Sequence, residues 1–409
     1  SGMVVFGASG KLSGTAETVF NNLTINGRLF LLNDCRLEGS WKNDGTLMAN
    51  DRRVTFGGLK GQRISGSRLT EFHHLKIDNG RDTVRLEQTA GVSGVLDVGS
   101  SSVFDAGEVG VVLRSTASDR TGRVGILQPT ARVHGKITLE RFMDARQRYR
   151  YIAQPFRGVR FQDLTDRFPM WSGYQYRYDE SVTGYKDWGW VRMSMTDTLR
   201  PGTGYITWPS PAVYWKPVTW NSSGLLEPGI NRDAVDLRLK HTASPDPKFS
   251  NDGWNLVGNP YPSAIRWSLD PAMWSDGNGG PASNIHPVVF LRDAATGGVR
   301  SFNAMTGIGD ISGGTGIIAS GQAFWVHTTG PDPRLVVHEA AKALEGGVYN
   351  RAAISKPPAL RLTASSGMMT ASAFLIDLPG TGEGYDIGKD AVQLPDTLIS
   401  VSIIGQEGQ

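Results

Sequence analysis

The first 140 residues hold short apolar runs that never grow long and never stray far apart. Leu29 to Leu32, Thr46 to Met48, Val54 to Phe56, Val84 to Leu86, Val95 to Val98 and Val111 to Leu113 are each bounded by polar, glycine-containing turns. Runs of three or four residues recurring about every 8–12 residues are the pattern of successive short strands, and too short for helices. An echo runs through them. Leu12-Ser13-Gly14 returns as Ile64-Ser65-Gly66, and Phe20-Asn21-Asn22-Leu23-Thr24-Ile25 returns as Phe72-His73-His74-Leu75-Lys76-Ile77, in both cases 52 positions on. A long period filled with short strands marks a solenoid. With three strands to a coil of about 25 residues, 52 residues make two coils, and residues 1–145 read as a short parallel β-helix. The plainer alternative is an antiparallel sandwich with a coincidental echo.

The rest of the chain is also β in character. Gly and Pro number 51 and 21 of 409 residues, which excludes a helical bundle or coiled coil, and 37 aromatics exclude a disordered chain. Residues 149–220 hold 17 of those aromatics. Tyr174, Tyr176 and Tyr178 alternate along one strand and therefore share a face, and Trp188 and Trp190 repeat the alternation. Residues 146–345 read as an aromatic-rich antiparallel β-sandwich with long loops. Pro357-Pro358 marks a linker, so 346–409 reads as a linker followed by a small, truncated β unit. The fold class expected is all-β throughout.

Charge narrows the function classes. Lys and Arg total 42 against 39 acidic residues, a net charge of +3, and basic residues are not gathered as nucleic-acid binding requires. The single cysteine, Cys35, excludes an intramolecular disulfide and a thiolate zinc cluster. No run of 18 apolar residues is present, so no membrane-spanning helix is expected. Ser1-Gly2-Met3 reads as an expression scar or an internal start, and the chain as a fragment of a longer protein.

Four groups of residues are candidates for chemistry. Tyr174, Tyr176, Tyr178, Trp188 and Trp190, with Asp179 and Asp187 at their edge, have the composition of a sugar platform, where flat C–H faces stack on rings and acids hold hydroxyls. The competing reading is that they fill the sandwich core, although three Tyr hydroxyls need polar partners and so favour a partly wet face. Trp254, Asn255, Asn259, Pro260, Tyr261, Pro262 and Trp267 read as a structural corner rather than a ligand loop, because two prolines fix φ and the asparagines serve local backbone groups. Asp246, Asn251 and Asp252 carry oxygen ligands suited to a structural calcium, the one cofactor considered, but not at EF-hand spacing. Adjacent His73 and His74, if on a strand, point to opposite faces and cannot share a metal. Asp97, Asp105 and Glu108 are the carboxylates to weigh for glycoside cleavage. No catalytic residue is assigned, and the chain reads as a non-enzyme.

Several segments resemble secreted surface proteins of the Bacteroidota that are exported by the type IX secretion system. The fullest is Gly253-Trp254-Asn255-Leu256-Val257-Gly258-Asn259-Pro260-Tyr261-Pro262-Ser263-Ala264-Ile265. Arg148 to Pro155, Gly202-Thr203-Gly204-Tyr205, Ser320 to Val326, and Gly384 to Ala391 match others in order. Asp82-Thr83-Val84, Asp197-Thr198-Leu199 and Asp396-Thr397-Leu398 are similar to the O-glycosylation pattern of that group. The resemblance implies export to the cell surface or medium, a sorting domain beyond Gln409, and the outer-membrane translocon and shuttle components as partners. It implies an adhesin or structural surface module. The alternative is a carbohydrate-binding module of a larger secreted polysaccharide-processing protein, with a polysaccharide or surface glycan as ligand.

Overall fold

The computed structural model describes residues 2–80, 82–117, 119–143, 148–164, 170–183, 186–209, 218–225, 234–245, 252–292, 298–311, 314–344, 359–366 and 369–376. The chain is all-β: a parallel solenoid followed by antiparallel sheets. Two compact units result, the first Ser1–Met143 with Phe156–Val159 and Thr219–Asp233, the second the remainder.

The solenoid has three walls. The first is a seven-stranded sheet running from Met3–Phe6 through Trp41–Asn43 and Gln62–Ser65 to Arg132–His134. A second begins at Gly10–Leu12 and continues through Thr70–Phe72, Ala90–Val92 and Val111–Leu113. A third holds Thr18–Phe20, Cys35–Leu37, Arg53–Phe56, His74–Ile77, Val95–Val98 and Arg123–Val124. Alternation decides what points inward. Leu23, Ile25, Leu29, Leu31, Cys35, Leu37 and Trp41 are all almost completely buried, whereas the residues between them face out. Buried polar residues at the corners are bonded: Gln62 accepts the Gly58 amide and donates to the carbonyls of Leu37 and Gly39.

The coil is shorter than the sequence echo suggests. Leu23 lies beside Trp41, Trp41 beside Ile64 and Ile64 beside Leu86, so successive coils take 18, 23 and 22 residues. Phe20 closes a strand of the third wall, whereas Phe72 closes a strand of the second. The 52-residue echo is therefore not a whole number of coils. It repeats the local grammar of a corner, an apolar residue, two polar residues and an alternating strand, which any of the three corners can use.

The contiguous division at residue 145 also needs correction. Val218–Leu225 returns to the first unit, beside Lys136–Met143 in the second wall, and Thr138 and Ser223 hydroxyls hydrogen-bond at 2.7 Å. Gly224 permits this, because a Cβ there would sit 2.4 Å from Phe156 Cβ, another residue of that unit.

In the second unit, a four-stranded antiparallel sheet (Arg150–Ala153, Gly204–Pro209, Met170–Tyr178, Trp190–Arg192) covers one face of a five-stranded one built on Trp254–Gly258, Ala323–Thr328 and Ile285–Arg292. Trp254, Leu256, Val288, Phe290 and Trp325 face that cover. Val257, Val289, Leu291, Phe324 and Val326 face the other way, into a second core with Tyr261, Trp267 and Trp274. Both faces are buried, which is why these strands read as continuous apolar runs. The hairpin Ala359–Ser366 and Met369–Ile376 belongs to this same unit, with Arg361 held at 3.3 Å by the buried Asp310.

Candidate functional site

The tyrosine strand Met170–Tyr178 runs from solvent into the core. Tyr174 is 41% exposed, Tyr176 half-buried, and Tyr178 buried. Tyr178 stacks edge-on with Trp190 at 5.2 Å and Trp325 at 4.9 Å, and Trp254 lies 6.4 Å from Trp325. Tyr178 and Trp190 are thus core aromatics. At the other end Tyr149 meets Trp208 at 4.7 Å and Tyr176 at 6.4 Å. Burial, then the neighbouring Tyr176 and Tyr174, raises the Tyr149 hydroxyl above its ordinary pKa. The half-open cluster is therefore Tyr149, Tyr174, Tyr176 and Trp208. Tyr149 and Trp208 were invisible as members from sequence, because only the pairing of Arg150 with Thr207 and of Gln175 with Thr207 sets these neighbours side by side.

Trp188 does not share a strand with Trp190. It lies on the 3-10 turn Lys186–Gly189 and is 60% exposed. The strand starts only at Trp190, since the Tyr178 ring packs over Gly189, where a Cβ would come within 2.6 Å of it. Asp187 is exposed. Asp179 is occupied: it pairs with Arg177 and Lys240, each at 3.0 Å, and accepts the Ser181 hydroxyl. The Ser181 hydroxyl, then Lys240 and Arg177, hold its carboxyl well below the usual carboxylate range. Its neighbour Glu180 is buried and accepts the amides of Thr242 and Gly253.

The segment from Trp254 to Trp267 is a corner with its polar groups satisfied internally. Asn259 is fully buried and donates to the carbonyls of Ser263, Ile318 and Ala319, while its Oδ1 accepts the Tyr261 amide at 2.9 Å. Asn255 donates to the carbonyls of Lys240 and Gly253. Tyr261 donates its hydroxyl to the Val337 carbonyl, and Trp267 its indole N–H to that of Pro287. Pro260 and Pro262 are buried within the turn.

The remaining candidates are dispersed. Asp252 accepts the Ser244 amide at 2.7 Å, and Asp246 and Asn251 lie outside the described residues. Among the described residues no three His, Cys, Asp or Glu side chains are placed to hold a metal ion. Asp97 lies on the third wall and Asp105 on the first, where it pairs with Arg85, and Glu108 is exposed. His73 occupies a corner rather than a strand, so the two rings are not on opposite faces but meet edge-on at 4.3 Å.

Four of the segments that stood out in the sequence meet at one seam. Ala153 donates its amide to Gly321, Gly258 to Gly202, and Asn259 to Gln322, at 2.9, 3.0 and 3.0 Å. A family model described as Domain of unknown function (DUF8693) matches residues 124–340, just over half of the chain. The chain belongs to this family. The match spans the end of the solenoid and the antiparallel sheets up to the strand Val336–Val337, so the DUF8693 region includes the seam and the aromatic cluster. Neither the curated proteins nor the solved structures compared with it give a match.

Proposed function

We propose that this chain is a non-enzymatic module of an exported cell-surface protein, a substrate of the type IX secretion system, in which the solenoid supplies length and the antiparallel sheets present a face. The observation that carries the reading is the seam. Segments resembling cargo of that system, Arg148 to Pro155, Gly202 to Tyr205, Gly253 to Ile265 and Ser320 to Val326, are hydrogen-bonded neighbours of one structural node. Residues that lie far apart in sequence and meet in space are a fuller likeness than four separate short matches. The node is buried, so the likeness is one of scaffold and names no ligand. Fractionating cells that produce the protein tests the reading. Protease-accessible protein on intact cells, held in the periplasm when the outer-membrane translocon is deleted, is the expected result. A cytoplasmic location, or display that ignores the translocon, overturns it.

A second reading, a carbohydrate-binding module, is favoured by the half-open cluster of Tyr149, Tyr174, Tyr176 and Trp208. Amphipathic rings open to water on one side suit the apolar face of a sugar. A polysaccharide screen following Trp fluorescence and released reducing ends together tests it: binding without release, lost in Tyr174→Ala, is expected, and released ends would overturn the non-enzyme assignment.

A further inference from the structure

The outward face of the third wall has a grid of side chains unrelated to the aromatic cluster. The register places Arg53, His74, Val95 and Arg123 on successive rungs in one column, and Arg36, Thr55, Lys76 and Asp97 in the next. Rungs are about 4.8 Å apart, so Arg53 and Arg123 stand about 14 Å from one another with His74 and Val95 between. A depression in this face is lined by Arg53, His74, Leu75, Lys76, Val95 and Asp97.

Its charges are not all spent internally. Arg36 and Lys76 share Asp78, at 3.4 and 3.6 Å. Arg53 has no ion-pair partner among the described residues, and Asp34 beside it accepts the Arg53 backbone amide instead. His74 Nδ1 accepts the Val95 amide at 3.1 Å, which leaves the ring proton on Nε2 as a donor. Burial, then His73, Arg53 and Arg123, lower the His74 pKa to about 4, against only Asp34 raising it. The ring is neutral at pH 7 and sits in a net positive potential.

We propose that this depression binds the anionic group of a glycan chain, a carboxylate or sulfate, with Arg53 and Arg123 as its charge partners and His74 as a neutral N–H donor. Asp97 argues for a glycan over a nucleic acid. A carboxylate in the floor accepts from sugar hydroxyls and repels a continuous polyphosphate. The straight column of rungs suits an extended chain. This inference does not rest on export.

The test is titration of the whole chain with an oligouronate, a sulfated oligosaccharide, a neutral maltooligosaccharide and duplex DNA. Binding to the uronate or the sulfated chain, with the two arms telling which anion is used, and none to the neutral sugar, is expected. Arg53→Ala and Arg123→Ala should each weaken it about tenfold or more, since each removes a charge-assisted contact. Arg63→Ala, on the first wall and paired with Glu87, should leave it unchanged. Loss of affinity in all three variants alike, equal binding to DNA, or no binding to either anionic sugar overturns the proposal. Because Tyr174→Ala touches only the other unit, its effect separates this site from the aromatic cluster.

Discussion

Glu180 holds Gly253 across 73 residues of sequence: one carboxylate oxygen accepts the Gly253 amide at 2.9 Å and the Thr242 amide at 2.6 Å, and the other accepts the Thr242 hydroxyl at 2.7 Å. Removing the carboxylate strands two backbone donors in a buried place. Glu180→Ala should lower the unfolding free energy by about 2–4 kcal/mol, with Glu180→Gln between it and the parent. Chemical denaturation measures the loss. Faster amide exchange at Thr242 and Gly253 would locate it.

Asn259 offers a stricter test of the corner. Its Nδ2 faces three carbonyl oxygens. Asn259→Asp exchanges that donor for an acceptor at constant size and should cost more than Asn259→Ala, on the order of 3–5 kcal/mol, because a buried carboxylate would face only acceptors. Equal stability of the two variants would refute this account.

Cys35 is a ready reporter for the solenoid. It is buried in the third wall, and burial, then Glu17 and Asp34, push its thiol up to about 12. The thiolate is the reactive form, so a thiol reagent at pH 8 should label the folded chain very slowly and the denatured chain within minutes. As the chain has one cysteine, the labelling rate measures opening of that coil alone.

Acid should destabilise the antiparallel unit through His327. Burial, partly offset by the bond to the Asp252 carbonyl, lowers its pKa from 6.5 to about 4. The unfolded chain then binds a proton between those values and the folded chain does not. Stability contributed by the neutral ring is whole above pH 6.5 and drains away as pH falls towards 4, by about 1–3 kcal/mol. Denaturation midpoints at pH 7, 5.5 and 4.5 measure it, and His327→Gln should flatten the trend.

The aromatic row gives a last contrast. Trp325→Ala opens a hole among Tyr178, Trp190 and Trp254 and should cost about 3–5 kcal/mol. Tyr174→Ala and Trp188→Ala remove exposed rings and should change stability by less than about 1 kcal/mol. A thermal melt of each separates core from surface along one face.

The solenoid was legible because its alternation is local: Leu23 and Ile25, or Leu75 and Ile77, mark inward positions two residues apart. Its period was not, because the echo of Phe20 in Phe72 belongs to corners of different walls. The corner at Asn259 could be read from its prolines. The aromatic cluster could be read only in part. Tyr174 and Tyr178 share a face by parity, but what distinguishes them is the sheet that covers one and not the other, a long-range fact. Tyr149 and Trp208 join them through register alone. The groove at His74 depends on which rungs stack, which spacing of 18 to 23 residues per coil does not disclose.

The strand Val218–Leu225 gives the chain an order of assembly. It completes a wall of the first unit, yet Arg150–Ala153, Met170–Tyr178 and Gly204–Pro209 of the second unit precede it. A chain emerging from its amino end, from a ribosome or through a pore, cannot finish the first unit until much of the second has already appeared. The two units are braided in time, and a cut after Met143 would yield a first unit with its last strand missing rather than an independent half.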